Sequence, residues 1–153
     1  MLKKYIILFL FVLSVNSLFS QIIKGADEKF YNEDGSSYTG TYIEFHENGN
    51  KRIEMSIKNG LQDSLTIIYY DNMIIKEKRN YKYGKMEGEW LSYNSNGVKT
   101  AEANYKDDKK NGRWIIWNDK GVQLFEMYYN KGAKTGKWKM WNDEGVLINE
   151  KEY

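Results

Sequence analysis

The hexapeptide Gly112–Trp117, GRWIIW, recurs 24 residues earlier as Gly88–Tyr93, GEWLSY, and 24 residues later as Gly136–Trp141, GKWKMW. Two further steps of 24 residues towards the N-terminus reach SLTIIY at residues 64–69 and GTYIEF at residues 40–45. An aromatic residue therefore stands at the sixth position of all five hexapeptides. Self-similarity at a fixed period of about 20 to 50 residues marks a repeat architecture. The sequence predicts five tandem 24-residue repeats over residues 40–153, the last of them truncated.

Other positions of the repeat recur with the same period. A turn residue stands nine positions after each start, at Gly49, Met73, Gly97, Gly121 and Gly145. An acid stands fourteen positions after the start in four units, at Glu54, Glu102, Glu126 and Glu150. The position seventeen residues in holds Ile57, Tyr81, Tyr105, Tyr129 and Tyr153. The unit that starts at Ser64 is the degenerate one, because it has lost both its opening glycine and its turn glycine.

Each unit has the pattern of a β-hairpin, with two apolar and aromatic arms joined by a polar turn that ends in glycine. Alternation along the first arm puts positions three and five on one side of the sheet and positions four and six on the other. Both sides then carry a row of aromatic residues. The predicted fold is all-β, an elongated single-layer antiparallel sheet of tandem hairpins.

Residues 1–20 have the pattern of a cleavable secretory signal. Lys3 and Lys4 precede a nine-residue apolar run, Tyr5 to Leu13, which is too short to span a membrane. Cleavage is expected after Ser20, and the alternative is an uncleaved signal anchor. We expect a periplasmic or secreted protein with no transmembrane segment in the mature chain, in which residues 21–39 lead into the first hairpin.

Charge and composition exclude several classes of function. The chain has 23 lysines and arginines against 21 acids, and the difference lies in Lys3 and Lys4, so the mature chain is neutral. Neutrality removes the electrostatic attraction on which non-specific nucleic-acid binding depends, so no nucleic-acid partner is expected. The chain contains no cysteine and one histidine, His46. These counts favour neither a metal, a cofactor nor an enzyme, and His46 is interpreted as a surface loop residue rather than a ligand or base.

The glutamate column offers a second candidate site. A recurring acid on a strand could form an ion pair or hydrogen bond with a neighbouring unit, or a catalytic or calcium-binding ladder. The sequence favours the first interpretation, because such pairs specify the register of neighbouring strands.

The pattern G-x-W-x-x-[YW]-x-x-x-G, followed by glutamate and tyrosine, resembles the MORN repeat in its bacterial variant form, which also occurs in proteins labelled YwqK-family antitoxins. The resemblance covers residues 40–153. It implies an elongated all-β array of hairpins, and it implies binding or scaffolding rather than an activity.

The aromatic rows are the candidate binding residues, namely Trp90, Tyr93, Trp114, Trp117, Trp138 and Trp141. Aromatic side chains dominate interface hot spots and also stack on sugars. The leading hypothesis is an exported, non-enzymatic repeat protein that binds another protein or an envelope component. The alternatives are a carbohydrate- or peptidoglycan-binding module and, from the resemblance, an antitoxin- or immunity-like partner of a toxin. The oligomeric state stays open.

Overall fold

The computed structural model describes residues 22–153, so the predicted signal peptide lies outside the described residues. All regular structure in residues 22–153 is β-strand, and the all-β prediction is confirmed. The strands are β1 (Ile23–Lys24), β2 (Phe30–Tyr31), β3 (Gly40–Phe45), β4 (Lys51–Lys58), β5 (Leu61–Tyr69), β6 (Ile75–Lys82), β7 (Lys85–Tyr93), β8 (Lys99–Lys106), β9 (Lys109–Lys110), β10 (Gly112–Trp117), β11 (Gln123–Asn130), β12 (Ala133–Trp141) and β13 (Leu147–Glu152).

Strands β3 to β13 form one antiparallel sheet in which sequence neighbours lie side by side. The order is β13-β12-β11-β10-β8-β7-β6-β5-β4-β3, and the short β9 pairs with β8. The predicted antiparallel array of hairpins is therefore confirmed. Below, units 1 to 5 denote residues 40–63, 64–87, 88–111, 112–135 and 136–153.

Successive units are joined by two-residue turns. Both central residues of each turn have positive φ, at Asn59-Gly60, Tyr83-Gly84, Asp107-Asp108 and Lys131-Gly132. This is the type I′ geometry, whose twist matches that of the flanking strands and which glycine, asparagine and aspartate tolerate best. The turns therefore bring each new unit directly beside the preceding one.

Within a unit, the two strands are joined by a longer loop that contains a residue of positive φ near its end. In unit 3 the amide of Gly97 donates to the carbonyl of Asn94 at 2.9 Å, and the Asn94 side chain accepts the amides of Asn96 and Val98. The Asn94 amide group also donates to Asp119 at 3.1 Å, one unit further along. Asn118 contacts Asp143 in the same way at 3.1 Å. Side chains thus link the loops of units 3, 4 and 5.

Pairing assigns each residue to one of two faces. The tryptophan face is the side of the sheet that carries Trp90, Trp114 and Trp138, and the glutamate face is the opposite side. Trp90 pairs with Ala103, and Leu91 pairs with Glu102, so the two strands of unit 3 alternate between these faces as the sequence predicts. Units 4 and 5 keep the same alternation.

The segment before unit 1 folds onto the tryptophan face. Strands β1 and β2 pair with each other, and the Phe30 amide donates to the carbonyl of Gly60 at 2.9 Å. Phe30 is 4% exposed and packs with Met55 and Ile57, while its ring lies 4.9 Å from that of Tyr42. The tryptophan face of unit 1 is therefore covered by the chain itself.

Candidate binding surface

A ladder of alternating tyrosine and tryptophan rings runs along the tryptophan face. Successive ring centroids lie 4.7 to 5.7 Å apart, with the planes tilted or edge to face. Such arrangements stabilise aromatic pairs beyond the area that they bury. The ladder consists of Tyr81, Trp90, Tyr105, Trp114, Tyr129, Trp138 and Tyr153.

Backbone carbonyls hold the indole rings of the ladder in place. The Nε1 of Trp90 donates to the carbonyl of Asn80 at 3.2 Å. Trp114 and Trp138 make the equivalent bonds, at 3.0 Å, to carbonyls ten residues earlier. Each indole donor is therefore already used, and what the rings offer a partner is apolar surface and π-electron density.

Two lysines lie over the ladder in repeat-equivalent places. The Nζ of Lys110 is 4.1 Å from the Trp114 ring centroid and 4.8 Å from that of Tyr129. The Nζ of Lys134 is 4.4 Å from the Trp138 ring centroid and 4.7 Å from that of Tyr153. Cations at these distances are attracted by the ring faces. Neither lysine was among the predicted site residues, although both stand two positions before an opening glycine and their period could have revealed them.

The ladder ends in unit 2, where Thr66 occupies the tryptophan position. Arg79 pairs across the strands with Thr66, and its guanidinium lies 4.9 Å from the Trp90 ring. The Nε of Arg79 also donates to Glu77 at 2.6 Å. Unit 2 therefore replaces a ring by an ion pair, and the continuous aromatic surface belongs to units 3 to 5.

The other three predicted residues lie on the glutamate face. Tyr93, Trp117 and Trp141 pair with Lys99, Gln123 and Leu147 at the ends of their hairpins. The Nζ of Lys99 is 4.5 Å from the Trp117 ring centroid. The six predicted residues thus form two rows on opposite sides of the sheet, three on each, and the structure does not bring them together in one site.

The glutamate column is neutralised by basic side chains. The Nζ of Lys51 lies 2.9 Å from an Oε of Glu54, and the Nζ of Lys99 lies 2.9 Å from an Oε of Glu102. The Nε of Arg113 lies 2.7 Å from an Oε of Glu126, and the Nζ of Lys137 lies 2.7 Å from an Oε of Glu150. The expectation that these pairs join neighbouring units is wrong, because both partners belong to the same hairpin in all four. The contact of the Tyr69 hydroxyl with Glu54 at 3.5 Å does cross from one unit to the next.

Glu126 shows the electrostatic consequence of this pairing. Burial raises its pKa, but hydrogen bonds from Arg113 and Tyr128 outweigh burial, so the pKa of Glu126 lies below its usual value. The carboxylate is therefore held ionised and bound. This environment is the opposite of the one that a general acid requires.

His46 contributes to the fold at the loop of unit 1. Its Nε2 lies 3.1 Å from the carbonyl oxygen of Tyr69 in unit 2, to which it donates in the matching tautomer. Within residues 22–153, no three histidine, aspartate or glutamate side chains are grouped so that they could hold a metal ion. The same residues contain no helix long and apolar enough to cross a membrane.

The comparison with protein families agrees with the hairpin array. The model of the MORN repeat variant matches residues 38–59 and 86–107, and these two matches start two periods of the repeat apart. No curated protein matches the chain. Repeats of this family are a non-catalytic type that suggests a binding role. The chain is therefore a hairpin repeat protein in which residues 38–59 and 86–107 match the MORN repeat variant.

Proposed function

We propose that this is an exported, non-enzymatic repeat protein that binds another protein or an envelope component through its aromatic sheet. The observation that carries the proposal is the contrast between the two ends of the tryptophan face. In unit 1 the chain covers this face with Phe30, which is 4% exposed. In units 4 and 5 the apolar side chains of Ile116 and Met140 on the same face are 37% and 36% exposed. Uncovered aromatic and aliphatic surface favours a partner.

A non-enzymatic role is supported by the ion pairs and hydrogen bonds that the column carboxylates and His46 already make. The column carboxylates that recur in four units are each paired with a lysine or arginine. The single histidine is engaged by a backbone carbonyl. A catalytic acid or base needs a proton that it can exchange with a substrate, and none of these groups combines a free proton position with a neighbouring nucleophile.

Export rests on Lys3, Lys4 and the apolar run that follows them. N-terminal sequencing of the protein from envelope and culture-medium fractions tests this part of the proposal. A mature chain that starts at Gln21 supports export with cleavage. A chain that still starts at Met1 in the cytoplasmic fraction contradicts it.

Affinity capture tests the binding surface. The mature chain and its Ile116→Glu variant are used as baits in periplasmic and medium extracts, and Leu147→Glu on the glutamate face is the matched control. We expect the captured partner to be lost with Ile116→Glu and retained with Leu147→Glu. The reverse pattern would assign binding to the glutamate face.

A carbohydrate ligand is the alternative, and it is favoured by Trp117 and Trp141, which lie in the same repeat position at adjacent hairpin ends of the glutamate face. Titration of tryptophan fluorescence with peptidoglycan fragments and envelope polysaccharides distinguishes the two functions. A saturable response that Trp141→Ala removes would establish the carbohydrate function. If the captured partner is a toxin whose activity the chain inhibits, the immunity-like alternative is the correct one.

A further inference from the structure

The residues that hold the Phe30 ring, called here the seat of Phe30, occupy four positions of the repeat. Its ring packs against Met55 and Ile57, with Tyr42 and Ile53 at the edges of the cluster. All four residues lie on the tryptophan face, because Tyr42 pairs with Met55 and the others alternate with them along β4. The seat is therefore built from positions that every complete unit possesses.

The same four columns form an open pocket four units later. The equivalent residues of unit 5 stand 96 positions after Tyr42, Ile53, Met55 and Ile57. They are Trp138, Asn149, Lys151 and Tyr153. These four residues line a pocket of about 130 Å³ together with Phe125, Met127, Lys139 and Met140. An apolar cavity of about 150 Å³ accommodates a benzene molecule, so the pocket has the size of a single aromatic ring.

The charges around the pocket have one sign. Pairing places Lys110, Lys134 and Lys151 on the tryptophan face of units 3 to 5. It places Glu89, Glu102, Glu126, Glu150 and Glu152 on the glutamate face. Electrostatic complementarity therefore favours a partner with negative charge next to its aromatic residue.

The segment that covers unit 1 has this chemistry. Residues 22–38 carry Phe30 together with four acids, Asp27, Glu28, Glu33 and Asp34, against the two bases Lys24 and Lys29. The segment also reaches the sheet by main-chain bonds, since the carbonyl of Tyr38 accepts the Gly60 amide at 2.7 Å. Asp27 and Glu28 pair with Lys29 and Lys24 of the same segment. Unit 1 therefore shows that this face binds a chain with an aromatic anchor, and the acidic character of the partner follows from the lysines of units 4 and 5.

We propose that the tryptophan face of units 4 and 5 binds an acidic segment of a partner polypeptide. One aromatic side chain of this segment enters the pocket between Met127, Met140 and Tyr153. Carboxylates on either side of it lie over Lys134 and Lys151. This inference rests on the proposed function and specifies the face, the seat and the chemistry of the partner.

A peptide with the sequence of residues 22–38 is the probe. It is titrated into the ¹⁵N-labelled protein, which keeps its own residues 22–38, and the shifts of the protein's amides are followed by NMR. Two control peptides carry either Phe30→Ala or amides in place of the four acids. We expect saturable shifts in Met127, Met140 and Lys151, an affinity at least tenfold lower for the alanine peptide, and weaker binding of the amide peptide.

Substitutions in the protein complete the test. Met140→Glu should abolish the shifts, whereas Leu147→Glu in the same unit but on the glutamate face should leave them unchanged. Three results would each overturn the inference. They are saturable peptide binding that shifts no amide of the tryptophan face, equal affinity of the alanine peptide, and no binding at millimolar peptide. If capture of the natural partner still depends on Ile116 in that event, the proposed function stands and only the assigned chemistry fails.

Discussion

Ser64 occupies a backbone conformation that the repeat reserves for glycine. The equivalent residues Gly88, Gly112 and Gly136 have φ values of 79°, 92° and 63°, and Ser64 has 75°. For a residue with a side chain this region costs roughly 1–2 kcal/mol. The geometry of the sheet, set by the neighbouring units, therefore overrides the preference of the residue in the degenerate unit.

Replacement of Ser64 by glycine should stabilise the protein. We expect the free energy of unfolding to rise by about 0.5–1 kcal/mol, because the strain exceeds the entropy that glycine loses on folding. Urea titration followed by tryptophan fluorescence measures the change. Ser56→Gly in strand β4 is the control and should lower stability by about 0.5–1 kcal/mol. A loss of stability in Ser64→Gly would show that the side chain, not the backbone, decides this position.

Thr66 is a second residue with an unfavourable feature, a buried hydroxyl. The residue is 3% exposed, and its Oγ1 has no hydrogen-bond partner. An unsatisfied buried polar atom costs about 1–3 kcal/mol. Thr66→Val, which keeps the shape, should therefore raise the free energy of unfolding by about 1 kcal/mol in the same titration. Thr41→Val, at an exposed position of strand β3, should change it by less than about 0.5 kcal/mol, and equal effects at both sites would refute the explanation.

Glu126 makes stability depend on pH. Its pKa is lowered in the folded protein, because hydrogen bonds from Arg113 and Tyr128 outweigh the effect of burial. A group with a lowered folded pKa contributes stability above its unfolded pKa, here near the usual 4.5, and loses that contribution as the pH falls through the folded value. Thermal unfolding from pH 7 to pH 3 should show a smaller acid-induced decrease for Glu126→Gln than for the natural protein. An unchanged decrease would assign the acid sensitivity to other carboxylates.

At the scale of the elements, the aromatic ladder connects neighbouring strands across the sheet. The ring centroid of Trp114 lies 5.2 Å from that of Tyr105 and 5.4 Å from that of Tyr129. The Nζ of Lys110 lies 4.1 Å from the same centroid. Trp114 therefore connects β8, β10 and β11. Its indole hydrogen bond to Asn104 adds a fourth contact, again to the preceding unit.

Trp114→Ala should destabilise the sheet strongly. A fully buried tryptophan loses roughly 3–5 kcal/mol on truncation, and the half-buried Trp114 should lose about 2–3 kcal/mol. Trp141→Ala, which removes no ring of the ladder and none of its indole hydrogen bonds, should lose less than about 1 kcal/mol. Chemical denaturation of both variants measures the difference. Similar losses would mean that bulk hydrophobicity, not the ladder, stabilises the sheet.

At the scale of the whole molecule, each unit contacts only its neighbours. The stability of such an array is a sum of unit terms and neighbour terms, so damage at one end decays along the chain. The cluster of Phe30, Met55 and Ile57 belongs to the first end, and the open pocket belongs to the other. The two ends of the tryptophan face can therefore be tested separately.

Phe30→Ala should expose this independence. We expect faster amide hydrogen exchange in β3 and β4, with protection of β10 to β12 unchanged, because loss of the anchor opens unit 1 without opening units 4 and 5. Exchange measured by mass spectrometry of peptide fragments resolves the two ends. A uniform decrease in protection would show that the whole sheet unfolds as one cooperative unit.

The sequence by itself determined the 24-residue period, the strands, their turns and the assignment of alternate residues to two faces. It could do so because turn chemistry and alternation are local, and because a period repeated five times leaves one consistent register. The tertiary structure alone decided which groups meet: it paired the glutamates within hairpins and placed lysines over the rings. It also seated Phe30 on unit 1 and left the equivalent seat open in unit 5. These contacts depend on side-chain packing between strands and across a non-repeating segment, for which a periodic pattern contains no local signal.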